Sequence, residues 1–216
     1  MQIQLDIELV KIKMLKWYPW IGKDYNTSKL LVIGESHYED GDGWQLGNKE
    51  TTRIVIQKRY DNEEGKWTLY RNLEQILSNK QELSNDETQH VWNEIAYYNL
   101  GQKLLASRKI ADRPSFDDYV KAWKTFFALE KILMPSHCLV LGKASFSSFG
   151  YYLNNIEKRW KKTNEDFTTR KAFDLTDGDS KMRIVFINHP STSFDFDYQM
   201  WANIVKSEFP SLYQHR

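Results

Sequence analysis

The chain has one cysteine, Cys138, and only five prolines and ten glycines among 216 residues. It also lacks any apolar run near the roughly 18 residues that a membrane-spanning helix needs. A single thiol excludes an internal disulfide and a four-thiolate zinc or iron–sulfur site, so metal chemistry would fall to His and carboxylates alone. No Pro-, Gly- or Ser-rich linker, internal repeat or low-complexity tract interrupts the sequence, which argues against a second domain. The amino terminus alternates Ile, Leu and Val with Gln, Asp, Glu and Lys where a signal peptide would carry an apolar run; the expectation is a cytoplasmic protein without membrane contact. Excess charge of one sign is missing as well. Thirty Lys+Arg against 29 Asp+Glu leave +1, which excludes coating of nucleic acid through bulk charge and allows only a local basic groove.

Aromatic residues are plentiful: eight Trp, twelve Tyr and eleven Phe make 14% of the chain. Most belong to a core, because they bury the largest area per residue, and a minority are available to stack on a flat ligand such as a base.

Four short apolar runs read as strands buried on both faces, as in a parallel sheet: Lys29–Ile33, Glu94–Tyr98, Cys138–Leu141 and Arg183–Ile187. Helical spacing of apolar residues marks Trp67–Ser78 and Asp118–Met134, the latter opened by Pro114, Ser115 and the pair Asp117-Asp118 and stopped by Pro135. Ala144–Lys161, opened by Ser145 or Ser147, and Tyr198–Glu208, opened by Asp195 or Asp197, complete the helices, and Arg159–Lys162 reads as a solvated helix end. Gly178 marks a surface turn. The expected fold is α/β, a three-layer α/β/α arrangement around a mainly parallel four-stranded sheet. Residues 1–28 read as an extension packed on a domain spanning 29–216.

In such folds the ligand lies beyond the carboxyl ends of the strands. That selects the loops Gly34–Trp44, Asn99–Lys103, Gly142–Ser148 and Asn188–Asp195. Gly34-Glu35-Ser36-His37-Tyr38 offers Glu35 as a general base, or as a loop cap with His37 bonded to backbone. Asn188-His189-Pro190-Ser191 offers an imidazole and a hydroxyl on a turn stiffened by proline.

Leu-Leu-Val-Ile-Gly34-Glu35, Tyr97-Tyr98-Asn99, Arg113-Pro114 leading to Pro135, Leu139-Val140-Leu141-Gly142-Lys143-Ala144 and His189-Pro190-Ser191 occur in one order over residues 29 to 205. Together they resemble the uracil-DNA glycosylase superfamily. The resemblance implies a glycosylase that extrudes a nucleotide and hydrolyses the N-glycosidic bond of uracil or another altered pyrimidine, acting as a monomer on single- or double-stranded DNA without cofactor or metal. Asn99 matches the asparagine that reads the base, and His189 the histidine that bonds its oxygen as negative charge grows. Tyr38 matches the tyrosine that excludes the thymine methyl, and Trp44 an aromatic that stacks on the base. Glu35 matches the acid of the iron–sulfur branch, while Ser36 stands where the classical branch has its catalytic aspartate. Pro190 and Ser191 match a phosphate-gripping loop, Phe194 a wedge, and Lys143 and Ser145 are placed for phosphate at a helix start. Two other readings remain open. One is a catalytically silent nucleic-acid- or nucleotide-binding member of the same fold. The other is an esterase-like or metal-dependent hydrolase using Glu35 and His37, since Gly-Glu-x-His also resembles the opening motif of erythromycin-esterase-like and haem-binding ChaN-like proteins.

Overall fold

A computed structural model describes residues 2–39, 48–61, 68–107, 109–166, 171–191 and 196–213. Strands β1 (Trp20–Ile21), β2 (Leu30–Gly34), β3 (Ile95–Asn99), β4 (His137–Leu141), β5 (Lys161–Asp166), β6 (Ala172–Asp177) and β7 (Ser180–Ile187) form one sheet in the order β1-β3-β2-β4-β7-β6-β5. The four expected strands are its parallel centre, β3-β2-β4-β7. Three more strands, all antiparallel to their neighbours, correct the expected count of four to seven.

Helices α1 (Gln2–Leu9), α2 (Tyr25–Ser28), α3 (Thr51–Tyr60), α4 (Thr68–Ser78), α5 (Asn85–Glu94), α6 (Phe116–Leu133), α7 (Phe146–Asn155) and α8 (Tyr198–Glu208) surround the sheet. Alternation along the central strands sends Leu31, Ile33, Tyr98, Val140, Ile184 and Phe186 to one face, where they meet Trp123, Phe126 and Phe127 of α6 and Phe149 of α7. The opposite face, Leu30, Val32, Tyr97, Leu141, Val185 and Ile187, packs on Ile56, Leu73, Ile76, Trp92, Trp201 and Val205 from α3, α4, α5 and α8. Three layers result. The segment 2–28 is part of them, because Leu9, Leu15, Tyr18 and Tyr25 are buried in the first core and β1 pairs with β3. Among the described residues no helix is long and apolar enough to cross a membrane.

Local signals explain the boundaries. Ser115 accepts from the Asp118 amide while Asp118 bonds back to the Ser115 amide, a capping box that starts α6, and Met134 ends it in a left-handed conformation just before Pro135. Asp197 caps α8 by accepting from the Met200 amide at 2.9 Å; Asp195 lies outside the described residues. The helix expected to reach Lys161 stops at Asn155, and Lys161–Asp166 forms an edge strand with no apolar residue to announce it. Arg159 is accordingly no helix end: it pairs with buried Glu130 and with Asp177. Gly178, with φ 59°, turns the hairpin from Asp177 to Ser180. Cys138 is fully buried and its thiol is pushed well up by burial, which removes it as a nucleophile.

His137 sets its ring edge-on to Phe209 and shares hydrogen bonds with Ser136 (2.9 Å) and Ser211 (3.1 Å), tying the segment after α8 to β4. Burial lowers its pKa from the ordinary 6.5. Folding therefore disfavours its proton, so its stabilising contribution is complete above the unfolded value and declines as pH falls toward the folded one. The urea midpoint of the wild type is expected to drop between about pH 7 and pH 5 by more than that of His137→Gln. Core packing gives a second expectation. Trp123→Ala, at a fully buried ring, should lower unfolding free energy by about 3–5 kcal/mol in urea titrations. Phe116→Ala, at a ring 48% exposed on the same helix, should stay within about 0.5 kcal/mol.

Candidate functional site

The carboxyl edge of the parallel strands carries the loops that start at Glu35, Leu100, Gly142 and Asn188. The first two are zipped together beyond the strands: Leu100 N–H donates to Gly34 O (3.0 Å), Gly101 to Glu35 O (2.7 Å), Leu105 to His37 O (3.1 Å) and Glu39 to Leu105 O (3.0 Å). Ser36 belongs to this zipper. Its buried hydroxyl donates to Lys103 O (2.6 Å) and lies 3.1 Å from Gly101 O, so it staples the second loop.

Glu35 follows Ile33 in the alternation and turns toward the α6 layer. Its carboxylate pairs with Arg113, accepts from the Tyr38 hydroxyl and accepts from the Tyr119 hydroxyl at 2.9 Å. Arg113 also donates to the Tyr38 oxygen at 2.9 Å. Burial pushes the Tyr119 phenol up to about 12, with Arg113 opposing, so it stays a donor at neutral pH. Three donors on two oxygens make Glu35 an anchor between the first loop and α6. Tyr38, expected at the base, is part of the same cluster.

Asn99 ends β3 on the other face. Its Oδ1 accepts from Tyr97 Oη (3.2 Å) and its Nδ2 donates to His37 Nε2 (3.2 Å), which also bonds Thr52 Oγ1 of α3 at 2.9 Å. With both ends held, the amide has one orientation, and by valence it keeps one further acceptor site and one further N–H. Gly34, paired with Asn99 in register, makes this possible: a Cβ there would lie 2.2 Å from the Tyr97 hydroxyl and 2.4 Å from Asn99 Oδ1. The Asn99 side chain thus leans over the end of β2. Trp17 closes the relay from the amino-terminal segment, edge-on to His37 at 4.8 Å, and Gln102 binds that segment through the Lys16 and Trp17 amides.

His189 leans in from the opposite side. A Cβ on Gly142, which has φ 116°, would meet His189 Cδ2 at 3.6 Å, so the imidazole lies against the residue that follows β4. Its Nδ1 accepts from the Ser191 amide (3.3 Å) and hydroxyl (2.8 Å), which places the ring proton on Nε2. The turn is pinned from beneath by Asn72 Nδ2, which donates to Pro190 O at 2.7 Å. β2 and β4 are neighbours with Ile33 level with Val140, so Gly34 and Gly142 lie at the same edge of the sheet. Asn99 leans over the end of β2 and His189 lies against Gly142 after β4, while Glu35 points into the other layer.

Of the proposed phosphate contacts, Lys143 sits 5.1 Å over the Trp201 ring, its pKa lowered by burial and then by Lys171. Ser145 is 4% exposed, and its carbonyl receives Ser148 Oγ at 2.7 Å. Ser191 is exposed, whereas Pro190 is buried. Trp44 and Phe194 lie outside the described residues. Among the described residues no group of three His, Cys, Asp or Glu side chains could hold a metal ion. Sequence reading missed Asn72, Thr52, Trp17 and Tyr119: apolar spacing marks the helices that carry Asn72 and Tyr119 but singles out neither residue, and Thr52 and Trp17 lie in segments whose own pattern is weak.

Neither the scan against protein-family models nor the search of curated proteins gives a match for this chain.

The Glu35 cluster has a measurable consequence. Tyr119→Phe removes one hydrogen bond to a carboxylate and is expected to cost about 1.5–3 kcal/mol. Arg113→Met leaves a mostly buried acid without its cation and is expected to cost about 3–5 kcal/mol. Urea denaturation of each variant checks both, and a loss below about 0.5 kcal/mol for Arg113→Met would show that the pair anchors nothing.

Proposed function

We propose that this protein is a DNA glycosylase similar to the uracil-DNA glycosylase superfamily, acting on uracil or another altered pyrimidine swung out of DNA. The observation that supports the reading is Asn99 leaning over Gly34 and His189 lying against Gly142, an oriented amide and an imidazole whose Nδ1 accepts from the Ser191 amide, at the same edge of the adjacent strands β2 and β4. Such a pair suits a pyrimidine edge, where an amide supplies a donor and an acceptor together.

Cleavage of a base–sugar bond leaves the sugar cationic and the base anionic. A donor aimed at the base oxygen stabilises that charge as it forms, so His189 Nε2–H assists departure of the base. The proton can remain on the imidazole throughout. Water then adds to C1′ of the sugar, its hydroxyl forming the new bond and its second proton passing to solvent or to the released base. Glu35 enters as the anchor of the first loop through Arg113 and Tyr119, and Ser36 as the staple of the second.

The same geometry favours one further reading, a member that binds the extruded nucleotide without hydrolysis. What favours it is the full engagement of Glu35 by Arg113, Tyr38 and Tyr119 together with the burial of Ser36, which leaves neither to orient water. A Glu35–His37 hydrolase has less behind it: His37 is 2% exposed among Trp17, Thr52 and Asn99, whereas Glu35 is bonded to Arg113, Tyr38 and Tyr119.

Release of free base from single- and double-stranded oligonucleotides carrying candidate lesions tests the proposal. Wild type should release base from at least one, and His189→Ala should slow release about 10²–10³-fold, the usual loss for one charge-stabilising donor. Equal rates for wild type and a Glu35→Ala, His189→Ala double variant on every substrate would remove the enzymatic claim. Salt-sensitive binding without release, weakened by Asn99→Ala, would establish the silent reading.

A further inference from the structure

A cleft of about 450 Å³ opens beside α7, away from the Asn99–His189 pair. Its floor is the buried rings of Phe146 and Phe173, and its wall is one exposed stripe of the helix, Ser147, Tyr151 and Asn154, spaced four and three residues apart. The Tyr151 ring is 46% exposed and stands edge-on to Phe116, itself 48% exposed, with centroids 5.6 Å apart. Two large rings are therefore presented to solvent in a fixed pose. Lys171 completes the lining with its ammonium 5.0 Å over the Phe146 ring, and among the described residues no carboxylate pairs with it.

The cleft flanks the same end of the sheet as the site. α7 begins just after the carboxyl end of β4, α6 starts at that end before running back toward the start of β4, and Lys171 O receives the Phe186 amide near the end of β7. Lys143, between β4 and α7, adds a second positive charge of the same sign nearby. An apolar peptide would have no use for an ammonium on the floor. A nucleic-acid strand uses all three features at once, since its base has a flat face, its base edge has polar groups and its phosphate is anionic.

We propose that this cleft holds a single-stranded segment of nucleic acid leading to the carboxyl-edge site, with a base stacked on Tyr151, Asn154 at the base edge and a phosphate on Lys171. The proposal rests on the reading of that edge as a nucleotide site. It adds a strand track that the sequence motifs do not contain.

Fluorescence anisotropy with a labelled thymidylate oligomer of about 15 nucleotides, titrated at several salt concentrations, tests it. Tyr151→Ala should weaken binding about 5- to 100-fold, the range for loss of one stacked base, and Tyr151→Phe should restore it to within about twofold. Lys171→Gln should reduce the slope of log affinity against log salt by about 0.7, one phosphate contact on a single strand. A Tyr151→Ala variant with wild-type circular dichroism and wild-type affinity would overturn the proposal, as would a wild type that does not bind the oligomer. Base release separates this from the function proposed above. Weakened oligomer binding in Tyr151→Ala beside a wild type that releases no base supports the track and removes the glycosylase, while unchanged affinity with active base release removes the track and keeps the glycosylase.

Discussion

The relay from Tyr97 through Asn99 and His37 to Thr52 exists because Gly34 has no Cβ. An alanine there would place a carbon inside both the phenol and the amide, so the absence of one side chain at the end of β2 lets four others form a buried hydrogen-bonded line across its end. Buried polar groups are costly unless satisfied, and here each member satisfies the next, which fixes the amide in one orientation. The rest of the edge follows from that constraint. Trp17 covers His37, Gln102 ties down the segment carrying Trp17, and Ser36 staples the two loops that flank Gly34.

The layers are held on the sheet by a recurring device. Glu74, Glu130 and Glu208 are each at most 4% exposed and each is met by an arginine, Arg59, Arg159 and Arg183 respectively. Glu74 also receives Trp92 Nε1 at 2.8 Å and Glu130 receives Trp160 Nε1 at 3.2 Å. Such pairs add little net stability over apolar residues of similar size, because desolvation offsets the attraction. Their effect is positional: Arg59 joins α3 to α4 and, through Glu74, to α5, while Arg183 joins β7 to α8. The apolar core decides that the layers pack, and these pairs restrict how they sit.

Much of the architecture could be read from the chain. The four central strands, both capped starts of α6 and α8, and the turn at Gly178 rest on periodicity and capping, which are local. The misses have physical causes. Lys161–Asp166 pairs at an edge, where neither face needs apolar residues. α3 carries Thr, Arg, Gln and Lys with few apolar positions, and α5 announces itself only through the Ser84–Glu87 capping box, a signal present in the sequence but passed over. β6 alternates over Phe173 and Leu175, too short a pattern to stand out.

From the residues alone one could derive that acid, amide and imidazole follow strands whose carboxyl ends share an edge, because strand order and loop placement depend on patterns a few residues long. Tertiary structure decided which partners each of them finds. Glu35 is satisfied by Arg113 and Tyr119, 78 and 84 residues away, and so joins the α6 layer. Asn99 leans over Gly34 at the end of β2, and His189 lies against Gly142 after β4. Strand alternation sends neighbouring side chains to opposite faces, and a hydrogen-bonding group takes whichever partner the other layers bring to it, so motif order along the chain does not determine which partners it finds.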